Sequence, residues 1–461
     1  MQQVPVELRE RLQRHQQWHL LYGWERLSGS QRADLVRQLL ELPWEKALSL
    51  AAGGAVSQEH WAWQELHSPP LTSAQTTAAE QAAGHQALEQ GRVAILVVAG
   101  GQGTRLGTDQ PKGLYPIGPV SGASLFQIHA EKVLALSRRY HRPLLWLILT
   151  SPATDAATRE FLAANHYFGL QRDQVRFFQQ STMPVVCAQT GQLLLEAPGR
   201  LLVSPNGHGG TLTALAQSGL LDELLQRGIE HIFYFQVDNP LVRVCEAGFV
   251  GRHILQHSEV SSRVVRKEHP QEKVGVFAMH HGRCVLVEYS DIPQEIAHKR
   301  DGDGQLYLCA GNPAIHLFRC DFLQRLLSTA ELPYHLAHKT ATYFDPHSGQ
   351  MVIPASPNAF KFEQFIFDVL PHAHRWLLML TPRALEFAPL KNASGPDSPQ
   401  TVRQAMLALH RQWLQQCGVA TGDWPVEISP LLALDAQELA LRLPAGLRIT
   451  GPTYLRDHET A

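Results

Sequence analysis

The chain has 461 residues, with 40 Lys and Arg against 42 Asp and Glu and a formal net charge of −2. Such a length predicts about two or three domains and a large core. The even charge balance argues against a broadly basic nucleic-acid surface, and no apolar run is long enough to suggest a membrane span.

The first residues, MQQVPVELRERLQRHQQW, are charged and lack an apolar signal core, so a cytoplasmic location is expected. Residues 1 to about 65 carry the apolar spacing of helices, in LRERLQRHQQWHLLYGWERL and SQRADLVRQLLELPWEKAL, with Ser30 as the expected N-cap of the second. The small, polar stretch 68–91 reads as a boundary leading into one more helix. From Val93 apolar runs alternate with helical ones: VAILVVA, SLFQIHAEKVLALSRRY, LLWLILT, DAATREFLAANHYF, VRFFQQ, TLTALAQSGLLDELLQRG and HIFYFQVDN. Repeated βαβ units predict an α/β fold with a mixed, mainly parallel sheet. Strand-like runs within 263–320 extend that sheet, and after about 395 come one amphipathic helix, TVRQAMLALHRQWLQQ, and a short irregular tail. The predicted domains are a helical N-terminal region (1–91), a core (92–394) and a small C-terminal domain (395–461).

Six cysteines, at 187, 245, 284, 309, 320 and 417, form no Cys-x-x-Cys pair, so reduced thiols are expected and not a zinc site. The pairs His280–His281 and His372/His374 lack helical i,i+4 spacing with a partner carboxylate and are not expected to bind metal.

Four stretches carry chemistry. In VAILVVAGGQGTRLGTDQPKG a strand ends in Gly100, Gly101, Gly103 and Gly107, followed by Arg105 and Lys112. Ligands of open α/β sheets bind beyond the carboxyl ends of strands, and glycines there let backbone N–H groups approach an anion. Two cations beside such a loop suit a polyphosphate; a plain tight turn is the alternative. The spacing is neither that of a Walker A loop nor that of the dinucleotide fingerprint. In HIFYFQVDNPLV a buried strand ends in Asp238, placed either to hold Mg²⁺ or to serve as a turn residue. SPNGHGGTLTAL opens a helix with glycines, a second potential anion site. In EFAPLKNASG, Lys391 lies in a Pro-containing turn, where a solvated surface lysine is the alternative.

Together with FFQQ, EKVGVF, LVEYSDI, AGNPAIHLF, PYHLAHK and FKFEQFIFD, in that order along about Val93 to Gly418, these stretches resemble the eukaryotic-type UDP-N-acetylglucosamine pyrophosphorylases, within the UDP-sugar pyrophosphorylase group. The resemblance implies a Rossmann-like nucleotidyltransferase core. It also implies that UTP and N-acetylglucosamine 1-phosphate give UDP-N-acetylglucosamine and pyrophosphate, with no nucleic-acid or membrane partner. By motif match, Val98, Ala99, Gly100 and Gly101 would cradle the nucleotide, and Arg105 and Lys112 would hold the departing pyrophosphate. Asp238 would hold Mg²⁺, or Mn²⁺. Lys391 would neutralise the α- or sugar phosphate, and Lys361 would add a phosphate contact. Gln180 and Gly207 match uracil-recognising positions; Gly275, Glu288, Tyr289 and Asn312 match sugar-contacting ones.

Two positions depart from the pattern. PNGHGG stands where the N-acetylhexosamine enzymes typically read PDGNGG, and His208 resembles the GHGD of the UDP-glucose and broader UDP-sugar branches. That leaves a glucose- or galactose-1-phosphate uridylyltransferase as the alternative enzyme. Phe362 stands where methionine is common, which reads as packing. The region after Gly418 holds no hexapeptide repeat, so no fused acetyltransferase is expected. A silent nucleotide-sugar-binding regulator would have no need to keep Arg105, Lys112, Asp238 and Lys391 together.

Overall fold

Val93–Val98, an unbroken run of apolar and mostly β-branched residues, forms a strand buried on both faces. It lies within the largest sheet of the computed structural model, which describes residues 4–54, 62–444 and 446–457. The chain divides into two units. The first takes its described residues from Met1–Trp61, Gln180–Ala214 and Ala330–Asp368; the second takes them from Ala62–Gln179, Leu215–Thr329 and Val369–Ala461.

The second unit contains the ten-stranded sheet. In chain order its strands are β1 (Val93–Val98), β2 (Trp146–Thr150), β3 (Val175–Gln179), β4 (His231–Gln236), β5 (Val260–Arg266), β6 (Val276–His280), β7 (Arg283–Val287), β8 (Ala310–Gly311), β9 (His316–Arg319) and β10 (Trp376–Leu380). Their spatial order is β7-β6-β8-β5-β9-β4-β1-β2-β3, with β10 paired to β5. The run β4-β1-β2-β3 is parallel throughout, in a register that sets Val98 opposite both Gln236 and Leu149. Beyond β4 the pairings turn antiparallel, except for β5 with β10. The sheet is therefore mixed and not mainly parallel. The helical crossovers that enforce parallel pairing serve one half of it, whereas β6 and β7 are joined by a tight hairpin.

Helix Leu125–Arg139 is N-capped by Ser124 and buries Leu125, Phe126, Ile128, Val133 and Leu136 in the core that contains β1. Helix Ala78–Glu89, capped by Thr77 with Glu80, packs closely on helix Ala247–Leu255. Their backbones nearly touch. A Cβ on Gly84 would lie 1.8 Å from the Ala247 carbonyl oxygen, and one on Gly251 would lie 1.6 Å from that of Glu80. Gly84→Ala should therefore destabilise the second unit by about 1–3 kcal/mol, the usual cost of overpacking. A urea midpoint equal to wild type would show that the helices can part without cost.

The amphipathic helix expected after about 395 is present as Pro399–Gln416, whereas the segment after it differs from the expected irregular tail. Helix Pro399–Gln416 is followed by strands Val426–Ile428 and Thr453–Leu455, which pair in parallel, with helix Ala436–Arg442 between them. Leu414, Val426, Ile428, Leu432 and Leu439 share one small core. Strands this short show no period in the sequence.

The first unit has helices Val6–Arg14, Gly29–Glu41 and Trp44–Ala51. Leu8, Leu12, Trp24, Leu35, Leu39 and Trp44 share its core with Met183, Leu195, Tyr334 and Phe362, which accounts for Phe362 as packing. The second helix is capped by Ser28 and not by Ser30. Ser28 Oγ accepts the Gln31 N–H, and the Gln31 side chain accepts the Ser28 N–H, so a full capping box forms two residues before the expected position. Among the described residues, no helix is long and apolar enough to cross a membrane.

Candidate functional site

The loop after β1 is held at both ends by backbone bonds. Ala99 N–H donates to Leu149 O, Val237 N–H to Val98 O, and the buried Ser151 hydroxyl to Gly100 O. Further on, Gly103 N–H donates to Gln110 O, and Lys112 N–H donates to Gly101 O at 3.1 Å. Residues 101–112 thus close on themselves and fix where the Lys112 side chain starts.

The glycines have different reasons. A Cβ on Gly113 would sit 2.1 Å from the Phe126 ring, and one on Gly103 would sit 2.6 Å from Thr108 Cγ2. Gly107 has φ +78° and closes a tight turn. At Gly101 a Cβ would meet nothing within 4 Å. Packing therefore does not require Gly101 to lack a side chain, and its exposed backbone is open to an anion. Arg105 lies exposed on the short turn Thr104–Leu106.

Asp238 follows β4, two residues past its end. Lys112 Nζ lies 3.2 Å from Asp238 Oδ2, with side-chain exposures of 20% and 10%. The structure thus joins two residues that are 126 positions apart in the chain. Helix Leu125–Arg139 holds the Asp238 loop from one side: His129 Nε2 donates to Val237 O, and Lys132 Nζ donates to Pro240 O and Val242 O. Burial lowers the Lys132 amine to about 7, opposed by the Glu386 charge, and lowers the His129 ring to about 3.

The segment that carries Lys391 holds the loop from another side, through Leu390 N–H donating to Asp238 O at 2.8 Å. Lys391 and Asn392 both donate their N–H groups to Asp397 O. Asp397, which sequence reasoning missed, takes φ +56° to offer that carbonyl. Burial raises its carboxyl pKa; Lys391 opposes the rise and the charge of Asp238 adds to it. No periodicity or motif marks Asp397 in the sequence.

Gly275, Glu288 and Asn312 also come together. Asn312 N–H donates to Gly275 O at 2.9 Å, and a Cβ on Gly275 would lie 3.2 Å from Glu288 Oε1. Asn312 Oδ1 accepts from Ala314 N–H, which aims the amide so that its NH₂ remains as a donor. Tyr289 is exposed next to Glu288.

Gln180, Gly207, His208 and Lys361 belong to the first unit. There the PNGHGG loop folds against residue 364. Gly209 N–H donates to Gln364 O, Gln364 N–H donates to Asn206 O, and a Cβ on Gly207 would lie 2.4 Å from Gln364 O. These glycines are accounted for by backbone approach, before any anion is considered. The His208 ring lies against Phe365 and Phe367, and its Nδ1 accepts the Ile366 N–H. Burial lowers its pKa to about 4, with His335 adding to the shift. The neutral ring then carries its proton on Nε2, the one donor it can offer. Gln180 is buried, and Lys361 lies on strand Ala359–Glu363 opposite Ala337.

One histidine pair gained the carboxylate that its sequence lacked: ligand atoms of Glu65, His280 and His281 lie within 4.8 Å of one another. An ion pair from His281 Nδ1 to Glu65 Oε2 at 3.3 Å accounts for part of this grouping. A cavity of about 910 Å³ lies elsewhere in the second unit, lined by Lys132, His410, Trp413 and Leu434 among others, and takes in none of the residues expected at the site.

Residues 49–421 match the family model described as UTP–glucose-1-phosphate uridylyltransferase. The chain is 37% identical over 376 residues to a probable UDP-N-acetylglucosamine pyrophosphorylase of Dictyostelium discoideum, covering 77% of each chain. It is 38% identical over 369 residues to the UDP-N-acetylglucosamine pyrophosphorylase of Saccharomyces cerevisiae, again covering 77% of each. A crystal structure of the uridine diphosphate N-acetylglucosamine pyrophosphorylase of Trypanosoma brucei, in complex with an inhibitor, superposes with a TM-score of 0.83 at 27% identity, covering 98% of each chain.

Proposed function

The chain belongs to the UTP–glucose-1-phosphate uridylyltransferase family, and from that premise we propose that it transfers a uridylyl group from UTP to N-acetylglucosamine 1-phosphate. The products are UDP-N-acetylglucosamine and pyrophosphate. A phosphate oxygen of the sugar phosphate attacks the α-phosphorus of UTP in line. The bond from that phosphorus to the bridging oxygen breaks, and pyrophosphate leaves with the electron pair. No covalent enzyme intermediate is needed, so the protein's task is positioning and charge neutralisation.

The observation that carries this reading is the pairing of Lys112 with Asp238 at the carboxyl ends of two adjacent parallel strands, beside the open Gly101 backbone. We read β4-β1-β2-β3 as the Rossmann-like, nucleotide-binding half of the sheet. Val98 to Gly101 cradle the nucleotide, while Arg105 and Lys112 receive the pyrophosphate. Asp238 supplies a hard oxygen suited to Mg²⁺ or Mn²⁺, and a bound ion would neutralise phosphate charge there. Lys391 meets the α- or sugar phosphate. Glu288 and Asn312, each next to Gly275, suit sugar hydroxyls and an acetamido group. The resemblance assigns uracil selection to Gln180 and Gly207, and a phosphate contact to Lys361.

The test is pyrophosphate release by the purified full chain, with each of four nucleotides against a panel of hexose and N-acetylhexosamine 1-phosphates. UTP should be strongly preferred over ATP, CTP and dTTP, because a site built on hydrogen bonds rejects a base that leaves them unpaired. N-acetylglucosamine 1-phosphate should be used better than glucose 1-phosphate. Equal rates with ATP would refute uridylyl transfer. Efficient use of glucose 1-phosphate alone would move the assignment to the UDP-glucose branch, to which His208 is the pointer.

A further inference from the structure

We propose that Asn239 is a positioning residue that fixes Lys391 relative to Asp238 and acts on catalysis through Lys391. The proposal rests on the uridylyltransferase reading above.

Asn239 is 3% exposed, and its side chain behaves as a piece of backbone. Its Nδ2 donates to Glu386 O at 2.8 Å, and its Oδ1 accepts Ala388 N–H at 3.1 Å. One residue before it, Asp238 O accepts Leu390 N–H at 2.8 Å. Three hydrogen bonds therefore lace residues 238–239 to 386–390, and Lys391 is the next residue along. A regular ladder cannot form here, because Pro389 has no N–H to give. The asparagine amide, with a donor and an acceptor in one plane, replaces it.

The far end of this lacing is itself anchored. Glu386 is fully buried, and its Oε2 accepts from Thr381 Oγ1 at 2.7 Å and faces Arg263 Nε at 3.3 Å. Arg263 is held in turn by Glu246. Glu386 O therefore presents a fixed acceptor, and the Asn239 amide measures the distance from it to the Asp238 backbone. Lys391 then begins from a backbone whose place is set against that of Asp238. Alanine at 239 removes two of the three bonds and no charge.

The experiment is a double-mutant cycle on the full chain, using pyrophosphate release from UTP at saturating substrates. Asn239→Ala should lower kcat about 10- to 100-fold, the size seen when a supporting contact to a reactive group is lost. In a Lys391→Ala background the same substitution should change kcat by less than about threefold, because the residue it positions is already gone. Amide hydrogen exchange over 386–391 should quicken at least tenfold in Asn239→Ala, with β5 unchanged. Asn239→Ser, which shortens the side chain and removes the amide donor, takes its place if the alanine variant does not fold.

Equal losses in both backgrounds would overturn the proposal, as would a single-variant loss under threefold or a Lys391→Ala enzyme at the wild-type rate. Each of these leaves the uridylyltransferase reading intact, since the wild-type rate tests that reading by itself. A wild-type chain without activity on UTP would refute both.

Discussion

Lys112→Ala is expected to cut the rate of uridylyl transfer by about 10²–10³-fold, while the chain still folds. The side chain starts from a backbone pinned to Gly101 O and ends 3.2 Å from Asp238. In the proposed reaction its ammonium would meet the negative charge that gathers as pyrophosphate departs. A preorganised donor of this kind is worth about 2.7–4 kcal/mol in the transition state. The stability cost should be smaller, about 1 kcal/mol, because the lysine side chain, 20% exposed, retains contact with water that screens its ion pair. Rate and urea midpoint, measured on the same preparation, separate the two effects. Lys112→Arg keeps the charge but delivers it through a planar fork of different reach, so it should recover part of the rate and not all of it. Turnover of Lys112→Ala within about threefold of wild type would remove the residue from the mechanism.

The strands around that lysine are legible because they are buried on both faces. VAILVV, WLILT and HIFYFQ are continuous apolar runs, and each became a strand of the parallel half. The residues at their carboxyl ends follow from the fold class, so Lys112 and Asp238 could be chosen without coordinates. Their direct pairing could not be, since it depends on the β4–β1 register. The glycines were harder. Several invite a ligand explanation in sequence, yet Gly103 answers to Thr108, Gly107 to its turn at φ +78°, and Gly207 and Gly209 to Gln364, whereas neither packing nor a positive φ accounts for Gly101. Asp397 and Asn239 act through a backbone carbonyl and a backbone-like amide, and neither leaves a pattern in composition. The first unit draws on three stretches of chain far apart in sequence, so no boundary in the text marks it. Ser28 was within reach: Ser28-Gly-Ser-Gln31 is a capping-box spacing, and it outweighs the serine nearer the first apolar residue.

Asp238→Asn is the complementary case, and its expected signature is different. Asparagine keeps the side chain's shape and still presents an oxygen to Lys112, so the ion pair becomes an ordinary hydrogen bond. What disappears is the negative charge. Magnesium is a hard ion held by few protein carboxylates and by substrate phosphates, so losing one full charge weakens it sharply. The Mg²⁺ concentration for half-maximal rate should rise, and the rate at saturating Mg²⁺ should fall by about 2–4 kcal/mol of transition-state stabilisation, roughly 30- to 900-fold. Lys112→Ala should instead lower the rate without raising the metal requirement, because it removes a cation and not a ligand. The two titrations together therefore separate a charge that meets the leaving group from a charge that holds the ion. Should Asp238→Asn leave the metal titration unchanged, Asp238 is a turn residue whose backbone carbonyl, bound to Leu390 N–H, is its whole contribution.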